Sequence, residues 1–118
     1  MRNRSTITES STAAAPTCWQ REAPTGCLRV ELQNGETHLF SYQHFVTASF
    51  KRDDVGTETA RVSFSSHELE IEGRGLRELL LCLQDFAVKW VRTAPERYHV
   101  LPGSADGVVT AIRIVPTE

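Results

Sequence analysis

The chain has 118 residues, 40% of them apolar and 24% charged, with a net charge of −2 at neutral pH. That length supports a single core without metal or disulfide help, and the near-neutral balance removes both the basic excess of a typical nucleic-acid binder and an acidic solvating tail. No run of about 18 apolar residues is present to span a membrane as a helix, and three cysteines leave one unpaired in any scheme within one chain.

Residues 1–25 are rich in Ser, Thr, Ala and Pro without a sustained period, which predicts a disordered or loosely attached arm, because little apolar surface offsets the entropy of ordering it. They contain no apolar stretch of the 7 to 15 residues or so that a secretory signal needs, so a cytoplasmic protein with reduced thiols is the expectation. Trp19 stands out within the arm, either folded back onto the domain or serving as a docking anchor for another chain. Residues 26–118 are expected to form one α+β domain.

Residues 28–42 contain two alternating runs around Asn34-Gly35, the dipeptide preferred in two-residue hairpin turns. That turn predicts Leu32 opposite Thr37, Val30 opposite Leu39 and Leu28 opposite Ser41. Arg29, Glu31, His38, Phe40 and Tyr42 then share the other face, so both faces are partly apolar and both need cover. A further strand follows, with Val46, Ala48 and Phe50 on one face, and a polar loop runs from about residue 53 to 58.

The segment 59–91 is the most legible. A turn at Ser65-Ser66 places Val62 opposite Leu69 and Ala60 opposite Ile71 on an apolar face, and Arg61 opposite Glu70 and Ser63 opposite Glu68 on a polar one. Gly73 and Gly75 punctuate the chain, and from Leu76 the apolar period changes from two to three and four. Leu76, Leu79, Leu80, Leu83 and Ala87 make one stripe with Phe86 at its edge, which predicts a helix over about residues 76–85. Leu81 points away from that stripe. Val88 to Arg92 restart an extended pattern, residues 93–107 form a connection marked by Pro and Gly, and residues 108–116 read as a final strand with Val108, Thr110, Ile112 and Ile114 inward. The expected architecture is a strongly bent antiparallel sheet, or partial barrel, of five to seven strands with the helix packed on it.

The chemistry-bearing residues form no catalytic pattern. His67 opens His-Glu-Leu-Glu-Ile, which lacks the second histidine of a zinc-hydrolase helix, and no histidine or cysteine pair has a metal-ligand spacing. No serine stands in a nucleophile elbow, and Cys82 lies among leucines, where burial would leave a thiol inert. Neither enzyme activity nor a metal or cofactor is therefore expected. Three binding readings remain. The first is a non-catalytic assembly module acting through protein contacts, as a homodimer or with a partner protein, with Leu81 and Trp19 as anchors. The second is RNA or single-stranded nucleic-acid binding on a sheet face through Arg29, His38, Phe40 and Tyr42, where rings could stack on bases. The third is a small-anion site at Gly73-Arg74-Gly75, where free N–H groups at a helix start would be joined by Arg74 and Arg77.

Overall fold

The computed structural model describes residues 17–22, 24–95 and 107–117. It is an α+β fold, as the alternation of periods predicts. Eight described strands make two four-stranded sheets, neither closed into a barrel, in place of one bent sheet of five to seven strands.

The first sheet contains β1 (Trp19–Arg21), β2 (Cys27–Glu31), β3 (Thr37–Ser41) and β7 (Val88–Arg92), in the order β1-β7-β2-β3. The second contains β4 (Phe45–Arg52), β5 (Glu58–Phe64), β6 (His67–Arg74) and β8 (Val108–Pro116), in that order. The meander breaks between β3 and β4 at a 3-10 turn, Tyr42–His44, where Ser41 Oγ accepts from the Gln43 N–H at 3.2 Å. The Tyr42 amide is held by the Gly26 carbonyl at 2.9 Å, so the turn is anchored to the start of β2. β7 runs antiparallel to β1 but parallel to β2, the one parallel pairing among the described strands.

The β5–β6 hairpin has the predicted register, with Val62 opposite Leu69, Ala60 opposite Ile71 and Arg61 opposite Glu70. The β2–β3 hairpin does not. Leu28 lies opposite Phe40 and Val30 opposite His38, one residue from the expected alignment. The cause is the loop: Leu32 pairs with Glu36 through its N–H (2.8 Å), so the turn has three residues, and of Asn34 and Gly35 only Gly35 takes a positive φ (95°). A two-residue type I′ turn needs positive φ at both positions. Asn34 instead uses its Oδ1 to accept the Glu36 N–H. A slip of one residue exchanges the faces of a strand, so Phe40 enters the core and Leu39 is 68% exposed. The hairpin consequently has one apolar face, not two.

Helix α1 (Arg77–Gln84) lies against β4 of one sheet and β7 of the other. Leu76, Leu79, Leu83 and Ala87 are buried as the stripe predicts, and Cys82 joins them, while Leu80 is half-buried. The cluster beneath is continuous through both sheets, from Leu28 and Val30 to Val62, Leu69, Ile71 and Val109.

Two register shifts adjust the edges of the second sheet. One at the start of β4 separates Val46 from the face it was expected to share, turning it outward while Ala48 and Phe50 stay packed on the core. The other, where Gly73 meets β8, lets both Val108 and Val109 be buried. A Cβ at Gly73 would lie 1.9 Å from the Val108 carbonyl oxygen, so only glycine fits there.

Part of the segment expected as an arm belongs to the fold. Cys18 is buried, its sulfur accepting the Val109 N–H at 3.4 Å, and Trp19–Arg21 is a paired strand. Backbone pairing supplies the ordering energy that composition alone did not suggest. Residues 1–16, and 96–106 of the connection, lie outside the described residues.

Leu83→Ala should cost about 2–5 kcal/mol in urea unfolding, because it opens a cavity under α1. Leu81→Ala on the opposite flank should cost less than about 1 kcal/mol.

Candidate functional site

Three of the six exposed large apolar side chains among the described residues, Val46, Leu81 and Phe86, gather where α1 ends beside β4, whereas Leu39, Val55 and Val115 lie elsewhere. Phe45, Val46, Thr47 and Ala48 of β4 and Leu80, Leu81 and Gln84 of α1 line a groove, together with Phe86 just past the helix; the volume is about 410 Å³. Val46 is 63%, Phe86 40% and Leu81 37% exposed. Consecutive residues of β4 line the groove because the register shift there breaks the alternation of faces;.

Phe86 owes its position to how the helix stops. The Phe86 N–H donates to the Leu83 carbonyl (3.0 Å) and the Ala87 N–H to the Cys82 carbonyl (2.9 Å), the two bonds of a Schellman ending;. Such an ending needs a left-handed residue, usually Gly or Asn, yet Phe86 holds it at φ 54°. For a bulky side chain this costs on the order of 1–2 kcal/mol. Ring contacts offset it: Phe86 stacks on Tyr42 at 5.1 Å and meets Phe45 edge-on at 5.6 Å;. The ring is thus held in the lining of the groove by a conformation that most side chains avoid;.

The glycine turn is arranged differently from the expected anion cradle. Leu76 supplies no side-chain cap, and its N–H donates to Glu58 Oε1 at 2.7 Å. Glu58, expected in a polar loop, is the first residue of β5 and is buried, with Arg52 Nη2 3.5 Å from its other oxygen. The helix start therefore already holds a carboxylate of this chain. Arg74 and Arg77 are exposed beside it.

The sheet-face aromatics are not a platform. Phe40 and Tyr42 are buried, Phe40 stacking on Phe64 at 5.0 Å and the Tyr42 hydroxyl donating to the Val88 carbonyl at 2.7 Å. His38 is half-buried beside Phe40, and Arg29 is paired with Glu31 at 2.9 Å. The one-residue slip of the hairpin explains this, since the face expected to carry Phe40 outward turns inward. Trp19 is half-buried, its ring filling the space beside Gly107. Trp90, which the sequence reading did not single out, donates from Nε1 to Gln20 at 2.9 Å and lies 4.4 Å under the Arg92 guanidinium. No sequence signal marks that contact, because it depends on β7 arriving next to β1.

On the outer face of the second sheet, Arg61 bridges Glu68 (3.7 Å) and Glu70 (3.4 Å), and Arg113 is hydrogen-bonded to Glu70. The Arg113 contact, with Arg61 nearby, holds the Glu70 carboxyl below the usual carboxylate range. Among the described residues no group of His, Cys, Asp and Glu is placed to hold a metal ion. No described helix is long and apolar enough to cross a membrane.

Two outcomes follow from the buried polar groups. Glu58→Ala should cost about 1–3 kcal/mol in denaturant unfolding by stranding the Leu76 N–H, while Glu58→Gln, which keeps an acceptor oxygen, should cost less. Burial pushes the Tyr42 phenol up to about 12 from an ordinary value of 10.0. The folded state therefore holds this proton more tightly than the unfolded chain, so the stability tied to it is complete below about pH 10 and lost as pH rises toward about 12. Melting curves across that range should fall less steeply for Tyr42→Phe than for the wild type.

Comparison with protein-family models, with curated proteins and with solved structures finds no match to this chain.

Proposed function

We propose that the protein is a non-catalytic binding or assembly module that takes apolar side chains of a partner protein in the groove between α1 and β4. The observation that carries this reading is the convergence of Val46, Leu81 and Phe86 on one concave surface. Isolated surface leucines are ordinary, but large apolar groups gathered in a groove are a recurrent mark of protein contact. The strained placement of Phe86 supports it further, since backbone strain persists where surrounding structure holds it and clusters at working sites;. A cytoplasmic setting, which would keep Cys18, Cys27 and Cys82 as thiols, belongs to the same proposal;.

Of the other two readings, stacking on nucleic-acid bases would need Phe40 and Tyr42 outside the core, and the anion site would need the Leu76 N–H that Glu58 engages.

A random-peptide display selection against the folded protein tests the proposal. Recovered peptides should be rich in Leu and Phe, and their amide shift changes should centre on residues 45–48 and 80–86. Phe86→Asn, which suits the left-handed position, should keep the melting temperature within a few degrees yet weaken peptide binding about tenfold or more. Peptides that bind Phe86→Asn and Leu81→Glu as well as they bind the wild type would overturn the reading.

A further inference from the structure

We infer that the outer edge of β8, which no described strand pairs with, pairs with the β8 of a second copy, joining two second sheets into one continuous eight-stranded sheet. β8 is the last strand of its sheet, nine residues long, and rich in Val and Ile. A long edge with one charge and no proline before its final residue has few of the devices that keep strand edges from pairing. The opposite edge, β4, has them: a register shift at its start and Lys51 and Arg52 at its end.

The register of such a pairing follows from groups already placed. The Thr117 N–H donates to the Ser66 carbonyl, and β6 and β8 keep that alignment down to Ala111 opposite Glu72. Hydrogen-bonded pairs recur at every second residue of an antiparallel ladder, so Arg113 and Ala111 direct their backbone toward β6. The backbone groups of Ile112 and Ile114 then point away from the sheet. Centring a two-fold axis on Ile114 would set Pro116, which has no N–H, against one of those groups. Centring it on Arg113 would oppose two like charges. Centring it on Ala111 would lay Arg113 against Val109, where Ala94 already sits with its N–H on the Val109 carbonyl at 2.9 Å. A two-fold at Ile112 avoids all three and pairs residues 110–114 of each copy.

Charge complementarity supports the same alignment. Arg113 of one copy falls opposite Ala111 of the other, and Ala111 lies next to Glu72 on β6. Glu70, Glu72, Ala111 and Arg113 border a shallow cleft of about 240 Å³, open because alanine leaves space there. Glu72 is exposed and joins no ion pair among the described residues. Arg113 of the same copy already lies near enough to feel the Glu72 charge without forming an ion pair with it, and the second copy's guanidinium would enter that cleft from the side and bring Glu72 a further counter-charge. On the inner face, the half-buried Ile112 of each copy would cover the other.

Sedimentation equilibrium of the full chain tests this. The wild type should be a dimer, whereas Glu72→Arg and Arg113→Glu, each alone, place like charges across the two-fold and should weaken association about tenfold or more. Mixed in equal amounts, the two variants restore both opposite-charge pairs in a heterodimer, so the mixture should associate more tightly than either alone. A loss of folding in one variant could not produce that recovery. A wild type that stays monomeric at high micromolar concentration, or a mixture no tighter than its components, overturns the inference. Leu81→Glu should leave the dimer intact; if that substitution alone dissolves it, the α1–β4 groove is the interface and β8 is not.

Discussion

The leucine face of α1 is the constraint on which the architecture depends. Neither sheet encloses a core alone, and α1 touches the edge strand β4 of one and β7 of the other. Full burial of Leu76, Leu79 and Leu83 contributes roughly 5–9 kcal/mol before chain entropy is subtracted;. The start of the helix is fixed by the buried carboxylate of Glu58 and its end by the two bonds into Phe86 and Ala87. Both attachments hold the segment at a set height, so the same leucines that fill the interior also decide which residues are left outside it. Leu81 and Phe86 are exposed as a consequence of that fixed rotation.

The groove follows from imperfect local rules on both of its walls. A regular β4 would have turned Val46 inward with Ala48 and Phe50, and a glycine after Asp85 would have ended the helix without a ring. Each departure places an apolar group in water, and the two lie side by side. The outer face of the second sheet follows the opposite pattern. There Arg61, Glu68, Glu70 and Arg113 alternate in sign across neighbouring strands, and Glu70 is the shared acceptor of two arginines. Such exposed pairs contribute little to stability and more to alignment between strands.

How much could be read from the sequence depended on how sharply polarity alternated. In β5 and β6, apolar and polar residues alternate, so a single register satisfies both faces and the pairing was legible residue by residue. The leucine period of α1 was equally clear. In β2 and β3, Leu39 and Phe40 are both apolar and adjacent, so either register buries one of them, and the turn decided between them by using three residues. The parallel union of β2 with β7 leaves no trace in local pattern, because its partners are separated by some sixty positions of chain. Glu58 was illegible for a similar reason: nothing near it in sequence shows that it will meet the amide of Leu76. Leu81 was visible as a misfit, but Val46 shared a face with Ala48 and Phe50 and Phe86 stood at the edge of the helix stripe, so the groove as a whole was not.

That distant parallel union also bears on the order in which the chain is expected to assemble;. β5, β6 and α1 are contiguous and close their loops early, whereas Arg29 can meet Trp90 only after the intervening chain has compacted;. On loop-closure grounds β7 joins β2 late, and β1, whose strand partner in the sheet is β7, joins with it or after it;. Until β7 docks, the inner edge of the β2–β3 hairpin stays open, which makes this the interval in which the nascent protein is most exposed to misassociation.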